Sequence, residues 1–253
     1  MNSADLIAWL MAAVLIANSV RAAVVHRPPA ATNRVAAYRK VMTRDWVFTA
    51  TVAAWWVLSG WSARRVYLGA PQDGWGFTVT TAGELAVLLA LTVVFIRRHA
   101  TDPRLQARAT RLFRYAAAVL PRTRDEQVTF VGVAVTAGVC EETVFRGFLL
   151  AWLNTGPLHL SLGVAVALTA VTFGLAHTYQ GPIGIITTAI AGAVFANLVT
   201  TTHSLLLPVM VHVLVDLRAI FLAPLIPEDT VVAFSWATWW HAVRDRLGIR
   251  FGW

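Results

Sequence analysis

The chain has 253 residues, of which 57% are hydrophobic and only 13% are charged, and its mean hydropathy is +0.62. This composition excludes an ordinary water-soluble domain and indicates helices that lie in lipid. The formal net charge of +8 would suit a nucleic-acid binder, so the positions of the basic residues have to decide between lipid and nucleic acid. A single cysteine, Cys140, excludes an intrachain disulfide and a multi-cysteine metal cluster.

Apolar runs of membrane-spanning length recur along the sequence. A span needs roughly 20 mostly apolar residues, and such runs predict an all-α, polytopic transmembrane helical bundle of about seven spans. In chain order, the runs occupy residues 6–25, 46–61, 77–96, 128–152, 158–176, 183–202 and 204–223. An eighth span, over residues 231–240, is an alternative that this short segment leaves open.

Most of the 21 Lys and Arg residues lie in the connections before the second and the fourth run. With seven spans and the N-terminus outside, these basic loops and the C-terminus are cytoplasmic, as the positive-inside rule requires. We therefore expect an integral, multi-pass protein of a bacterial plasma membrane. Its basic loops would contact anionic membrane lipids, and no nucleic-acid partner is expected.

The chain divides into three parts. Residues 1–127 contain the N-terminal spans and the basic loops, and within them residues 104–120 have the pattern of an interfacial amphipathic helix. Residues 128–223 are nearly continuous hydrophobic sequence with short connections, which predicts a compact helical core. Residues 224–253 form a C-terminal tail.

Ionisable side chains interrupt the core in three places. Residues 140–146 read CEETVFR, residues 173–177 read FGLAH, and residues 212–216 read HVLVD. Such groups inside a span cost about 2.5–3.5 kcal/mol each by insertion scales, so they indicate a functional site. The spacing of these residues indicates in which direction each side chain points around its helix. Glu142 and Arg146 are four residues apart and can pair, whereas Glu141 points about 100° away around the helix.

These positions suggest hydrolytic chemistry. A carboxylate held away from bulk water, as expected for Glu141, can act as a general base on a water molecule. His212 and Asp216 share one helix face, so Asp216 can orient the imidazole or help to hold a water molecule. His177 would come from a neighbouring helix, and the groups would converge in a cavity open to the cytoplasm.

The three motifs EETVFR, FGLAH and HVLVD resemble EExxxR, FxxxH and HxxxN of the CPBP family of intramembrane proteases. That family includes type II CAAX prenyl endopeptidases and bacteriocin-processing proteins. The resemblance implies an intramembrane endopeptidase that cleaves a membrane-associated or prenylated, CAAX-like protein or peptide. It further implies that Glu141 activates water, that His177 helps to bind this water, and that His212 stabilises the oxyanion.

The resemblance also assigns supporting residues. Glu142, Arg146 and Phe173 match positions that support the site, and Asp216 stands where asparagine is common. An ionised aspartate cannot donate a hydrogen bond as an amide does, so the role of Asp216 differs from the family pattern.

Other interpretations of the same residues stay open. We expect no cofactor, and the alternative is a zinc enzyme in which Glu141, His177 and His212 bind the metal. The absence of an HExxH spacing argues against that alternative. A proton-coupled transporter would also need buried Glu, His and Asp residues. A non-catalytic bacteriocin-immunity protein could retain the fold.

Overall fold

The computed structural model describes residues 3–24, 33–72 and 74–230, together with Val232 and Trp240. Within these ranges all regular structure is helical and no β-strand occurs, which confirms the predicted all-α class. The longer helices are α1 (Ser3–Val24), α2 (Arg34–Ser59), α3 (Trp75–His99), α4 (Pro103–Phe113), α5 (Arg124–Glu142), α6 (Ala151–Thr155), α7 (Leu162–Ala176), α8 (Gly181–Thr202) and α9 (Leu206–Leu222). A π-helical segment, Thr143–Leu150, joins α5 to α6 without a break.

Among the residues that the structure describes, four helical stretches are long and apolar enough to cross a membrane. They are Trp75–His99, Arg124–Thr155, Thr178–Thr202 and Leu206–Leu225. The predicted number of seven spans is therefore not confirmed. The predicted eighth span lies almost entirely outside the described residues, as does the rest of the tail beyond it.

Two of the predicted spans differ from the helices for physical reasons. Helix α2 begins at Arg34, twelve residues before the predicted run, and its first half carries Arg39, Lys40 and the Arg44–Asp45 pair. These charged residues lower the mean hydropathy of α2 below that of a membrane-spanning helix. Helix α7 begins only at Leu162, after Ser161, and its 15 residues cover roughly 22 Å at 1.5 Å per residue. That is less than the roughly 30 Å of a hydrocarbon core.

The connections between helices gather at the two ends of the bundle. At one end, Ser204 Oγ donates to Gly69 O (2.7 Å) and Asn154 Nδ2 donates to Leu160 O (2.9 Å). At the other end, which we call the basic end, the guanidinium of Arg122 donates to the carbonyl of Ala223 (2.7 Å). The basic end contains the loops around α4, which the sequence predicts to be cytoplasmic.

A buried arginine joins three segments at the basic end. Arg34 Nε donates to Ala118 O (3.0 Å), and its guanidinium also pairs with Glu126 and Glu228. The start of α2, the start of α5 and the segment after α9 are thereby tied together. Helix α4 lies next to this network, and its apolar residues pack against the segment Ala223–Leu225.

Candidate active site

The EETVFR motif lies at the point where α5 widens into the π-helical segment. Glu142 is the last residue of α5, and Arg146 lies one turn further along. Both side chains are fully buried, and Arg146 Nη1 donates to Glu142 Oε1 over 2.9 Å. The ion pair predicted from the spacing is therefore present. Wide π-turns often occur at functional sites, and the sequence alone does not indicate this one.

Glu142 also reaches a second helix. Its Oε1 atom lies 2.7 Å from Nδ1 of His212, on α9. A carboxylate paired with an arginine can only accept hydrogen bonds, so Nδ1 of His212 carries a proton and donates it to Glu142. Glu142 thus fixes the orientation of the His212 ring.

His177 is oriented by its own helix. It is the residue that follows the last turn of α7, and its Nδ1 atom lies 2.8 Å from the carbonyl of Phe173. Because a carbonyl can only accept, Nδ1 carries the proton, and Nε2 of the neutral ring is an acceptor. The FGLAH motif therefore contributes both the histidine and the residue whose carbonyl orients it.

The two Nε2 atoms face Glu141. Glu141 Oε2 lies 3.7 Å from Nε2 of His177 and 3.9 Å from Nε2 of His212. These distances are too long for direct hydrogen bonds but short enough for one water molecule to contact the groups. Oε2 of Glu141 and Nε2 of neutral His177 are both hydrogen-bond acceptors. A water molecule that donates one hydrogen bond to each of them would satisfy both. Glu141 Oε2 is itself buried and has no hydrogen-bond partner among the described residues.

Asp216 lies on the open side of this group. Its Oδ2 atom is 3.7 Å from Nε2 of His212, and its side chain remains 32% exposed. The distance exceeds that of a hydrogen bond, so Glu142 and not Asp216 orients the imidazole.

Aromatic rings enclose the charged residues. Phe195, on α8, stacks on His212 with a centroid distance of 5.1 Å, and Phe173 meets the same ring edge-on at 5.9 Å. The guanidinium of Arg146 lies 4.4 Å from the centre of the Phe173 ring, which allows a cation–π contact. Phe173 thus packs against both Arg146 and His212. Phe195 was not predicted, because it belongs to none of the three motifs.

Glycines let the helices approach closely at the site. A Cβ atom at Gly138 would lie 2.5 Å from Val213 Cγ2, on the helix that carries His212. On α8, the carbonyl of Gly192 accepts from Nη2 of Arg146 over 3.0 Å, and a Cβ there would lie 3.1 Å from the same nitrogen. Larger residues at these two positions would move α8 or α9 away from the motif on α5.

Helix α2 packs against α5 near the site. Trp46 Nε1 donates to Thr136 Oγ1 over 3.3 Å, which fixes α2 against α5 just before Glu141. Cys140 is buried beside the site, as expected of a free cysteine with a packing role.

Glu141, His177 and His212 are also the residues that would bind zinc in the alternative mechanism. Glutamate oxygen and imidazole nitrogen are donor types that zinc accepts. In the portion of the chain that the structure describes, however, no three His, Cys, Asp or Glu side chains are arranged so that they could hold a metal ion. The donors are suitable by type, but as arranged they do not form a metal site.

The fold and the site together define a class of protein: a helical membrane protein with a glutamate–histidine cluster inside its bundle. Residues 124–218 match the family described as "Type II CAAX prenyl endopeptidase Rce1-like". This match confirms the resemblance to the CPBP proteases and identifies the segment as an Rce1-like domain. It contains all three motifs. Comparisons with curated proteins and with solved structures gave no match.

The family match and the four apolar helices agree with each other. The matched segment runs from the start of α5 into α9, and three of the four helical stretches of spanning length lie wholly or largely within it. Together they indicate an integral membrane protein that contains an Rce1-like segment.

Proposed function

We propose that the protein is an intramembrane endopeptidase that hydrolyses a peptide bond in a membrane-associated, prenylated or CAAX-like protein or peptide. The observation that carries the proposal is the convergence of Glu141 Oε2 with the Nε2 atoms of His177 and His212. Three separate helical segments contribute these groups, which are enclosed by aromatic side chains and remain partly accessible.

In the proposed reaction, a water molecule lies between Glu141 and His177. Glu141 accepts a proton from the water, and His177 accepts the second hydrogen bond, which aims the oxygen at the carbonyl carbon of the substrate. The new carbon–oxygen bond forms as the carbonyl becomes an oxyanion. Glu141 then transfers its proton to the leaving nitrogen as the carbon–nitrogen bond breaks.

His212 is proposed to stabilise the oxyanion. Its Nδ1 proton is already donated to Glu142, so Nε2 donates to the oxyanion only when the ring carries both protons. The carboxylates of Glu142 and Asp216 lie on either side of the ring and balance that charge. A preorganised donor of this kind contributes about 3–4 kcal/mol in other hydrolases.

The experiment is peptide cleavage by the full chain in liposomes, with a prenylated CAAX-type peptide and mass spectrometry of the products. We expect cleavage by the wild type and a loss of about 100-fold or more in His177→Ala and His212→Ala. His99→Ala is the control, because His99 is exposed at the end of α3. Wild-type protein that leaves every peptide intact, or variants that match the control, would reject the proposal.

Further measurements separate the alternatives. We propose a reaction without a metal, so the cleavage rate should persist after chelation, and metal analysis of the purified protein should show no stoichiometric zinc. Stoichiometric zinc whose removal abolishes cleavage would support the metalloprotease. Uptake driven by a pH gradient without proteolysis would support the transporter. A biological phenotype unchanged in Glu141→Gln would support a non-catalytic immunity protein.

A further inference from the structure

A tyrosine two residues after His177 packs against the imidazole of the candidate site. The ring of Tyr179 lies 5.9 Å from that of His177, measured between centroids, and is tilted by 38°. Its side chain is only partly buried, so a bound molecule can reach it. The proposed reaction gives a role to His177 and none to Tyr179, which lies outside the three motifs.

The turn that carries Tyr179 holds it at a fixed place beside His177. This short 3₁₀ turn connects α7 to α8. Thr178 Oγ1 donates to the carbonyl of Leu175 over 2.6 Å, and the backbone N–H of Gln180 donates to the carbonyl of His177 over 2.9 Å. Hydrogen bonds on both sides of Tyr179 therefore tie the turn to the end of α7.

The hydroxyl group of Tyr179 is oriented from α8. Thr188 Oγ1 donates to Oε1 of Gln180 over 3.2 Å, so the amide nitrogen of Gln180 is directed to Tyr179 and donates to its hydroxyl oxygen, also over 3.2 Å. Close packing on α8 holds the Gln180 side chain, because a Cβ atom at Gly184 would lie 2.1 Å from Cβ of Gln180. The phenol oxygen is thus an acceptor in a fixed chain of hydrogen bonds.

The proton of the Tyr179 hydroxyl remains available to a ligand. A phenol both donates and accepts, and Gln180 uses the accepting side. No acceptor for the proton lies within hydrogen-bond distance in the part of the chain that the structure describes. A hydrogen bond that the oxygen accepts polarises the O–H group and strengthens it as a donor. A peptide offers such a donor one carbonyl oxygen per residue.

We propose that Tyr179 is a further substrate-binding residue, whose hydroxyl donates a hydrogen bond to the peptide carbonyl immediately before or after the cleaved one. This inference rests on the proposed protease function. Two extended residues span at most roughly 7 Å. The rings of Tyr179 and His177 are 5.9 Å apart. A peptide that is cleaved beside His177 therefore has a neighbouring carbonyl within reach of Tyr179.

The first test removes the hydroxyl alone. Tyr179→Phe keeps the ring beside His177, and its kinetics are measured with the full chain in liposomes and a prenylated peptide. We expect KM to rise about three- to tenfold, the effect of one neutral hydrogen bond. The value of kcat should stay nearly unchanged, because the bond is made equally in the bound substrate and the transition state. Tyr67→Phe is the matched control, since Tyr67 is buried next to Leu205 at the end of the bundle away from the basic end.

A second variant tests the direction of the hydrogen bond. Gln180→Glu keeps the size of the side chain but places a carboxylate oxygen where the amide nitrogen now donates, so Tyr179 would donate its proton to that oxygen. We expect KM to rise as it does in Tyr179→Phe, although the hydroxyl is still present. Adding Gln180→Glu to Tyr179→Phe should have no further effect. A wild-type KM in Gln180→Glu would contradict the assignment.

Thioamide peptides locate the acceptor on the substrate. In each of two peptides, sulfur, a weaker acceptor, replaces the oxygen of the carbonyl before or after the cleaved one. We expect one of them to have a raised KM with the wild type, and the KM of the unmodified peptide with Tyr179→Phe.

Several results would overturn the inference while leaving the protease function intact. They are an unchanged KM in Tyr179→Phe, and thioamide effects of equal size in the wild type and Tyr179→Phe. A fall in kcat alone would also overturn it, because Tyr179 would then only support His177. Wild-type protein that cleaves none of the peptides would reject the protease function, and the inference with it.

Discussion

Glu142 and His212 are 70 residues apart in sequence, yet Oε1 of the one lies 2.7 Å from Nδ1 of the other. The same oxygen accepts from Arg146 over 2.9 Å. Glu142 therefore links an arginine that anchors α8 to the histidine proposed to bind the oxyanion. We regard it as a positioning residue, since it acts on the reaction through His212.

Replacing Glu142 tests this link. Glu142→Gln keeps the shape of the side chain but removes the negative charge, and hydrogen bonds to charged groups contribute about 1.5–3 kcal/mol. We expect kcat to fall about 10- to 100-fold with little change in KM, and thermal stability to fall because Arg146 loses its buried counter-ion. Steady-state kinetics and thermal unfolding in detergent measure both effects. Glu84→Gln, at an exposed carboxylate on α3, is the control. An unchanged kcat in Glu142→Gln would show that Glu142 does not position His212 for the reaction.

The stacking of Phe195 on His212 leads to a second prediction. Phe195→Leu keeps an apolar side chain but removes the ring that lies 5.1 Å from the imidazole. Aromatic pairs contribute about 0.5–1.5 kcal/mol beyond burial, so kcat should fall up to about tenfold. Phe77→Leu, at an exposed phenylalanine of α3, should leave kcat unchanged. If the two variants had the same rate, the stacking would have no part in orienting His212.

A third prediction concerns the close approach of α5 and α9. Gly138→Val would place side-chain atoms where Val213 now lies, and overpacking of this kind typically costs about 1–3 kcal/mol. We expect a lower thermal unfolding temperature and reduced cleavage, since α9 carries His212. Gly83→Val is matched in residue type and lies in α3 with nothing within 4 Å of its Cβ position. Gly83→Val should lower the unfolding temperature far less than Gly138→Val does. An equal decrease in the two variants would mean that α9 tolerates the displacement caused by a valine at position 138.

The basic end gives a prediction for pH. The hydrogen bond and the charge of Arg34 lower the pKa of Glu228 below its usual value, with a smaller contribution from Arg122 that Glu126 opposes. A carboxyl group with a lowered pKa in the folded state stabilises the protein above its unfolded pKa, and this stabilisation is lost as the pH falls through the folded value. Glu228→Gln should therefore lower the unfolding temperature at neutral pH, by at most about 3 °C because the Glu228 side chain is 62% exposed.

The difference between Glu228→Gln and the wild type should disappear as the solution is acidified below the unfolded pKa of a glutamate, about 4.3. Unfolding curves at a series of pH values measure it. A difference that stayed constant down to acidic pH would show that the Arg34–Glu228 contact contributes through packing and not through charge.

Spacing within a single helix predicted part of this site. The Glu142–Arg146 pair follows from residues one turn apart, and Asp216 does share a helix face with His212. Contacts between helices could not be derived this way, because they depend on the rotation and register of two helices relative to each other. Hence the Glu142–His212 bond and the stacking of Phe195 appear only in the structure.

The sequence also predicted the fold only in part. Hydrophobicity predicted the all-α class and most helices, but it could not predict that α7 begins at Leu162 or that the helix after Glu142 widens into a π-helical segment.

The central claim is that Glu141 activates water for peptide-bond hydrolysis. The most direct test is the single-turnover cleavage rate of Glu141→Gln with a prenylated peptide in liposomes, because this substitution keeps the size of the side chain and removes only its ability to accept a proton. We expect the rate constant to fall by about 100- to 10,000-fold, the usual contribution of a general base. A rate constant within a few-fold of the wild type would contradict the account.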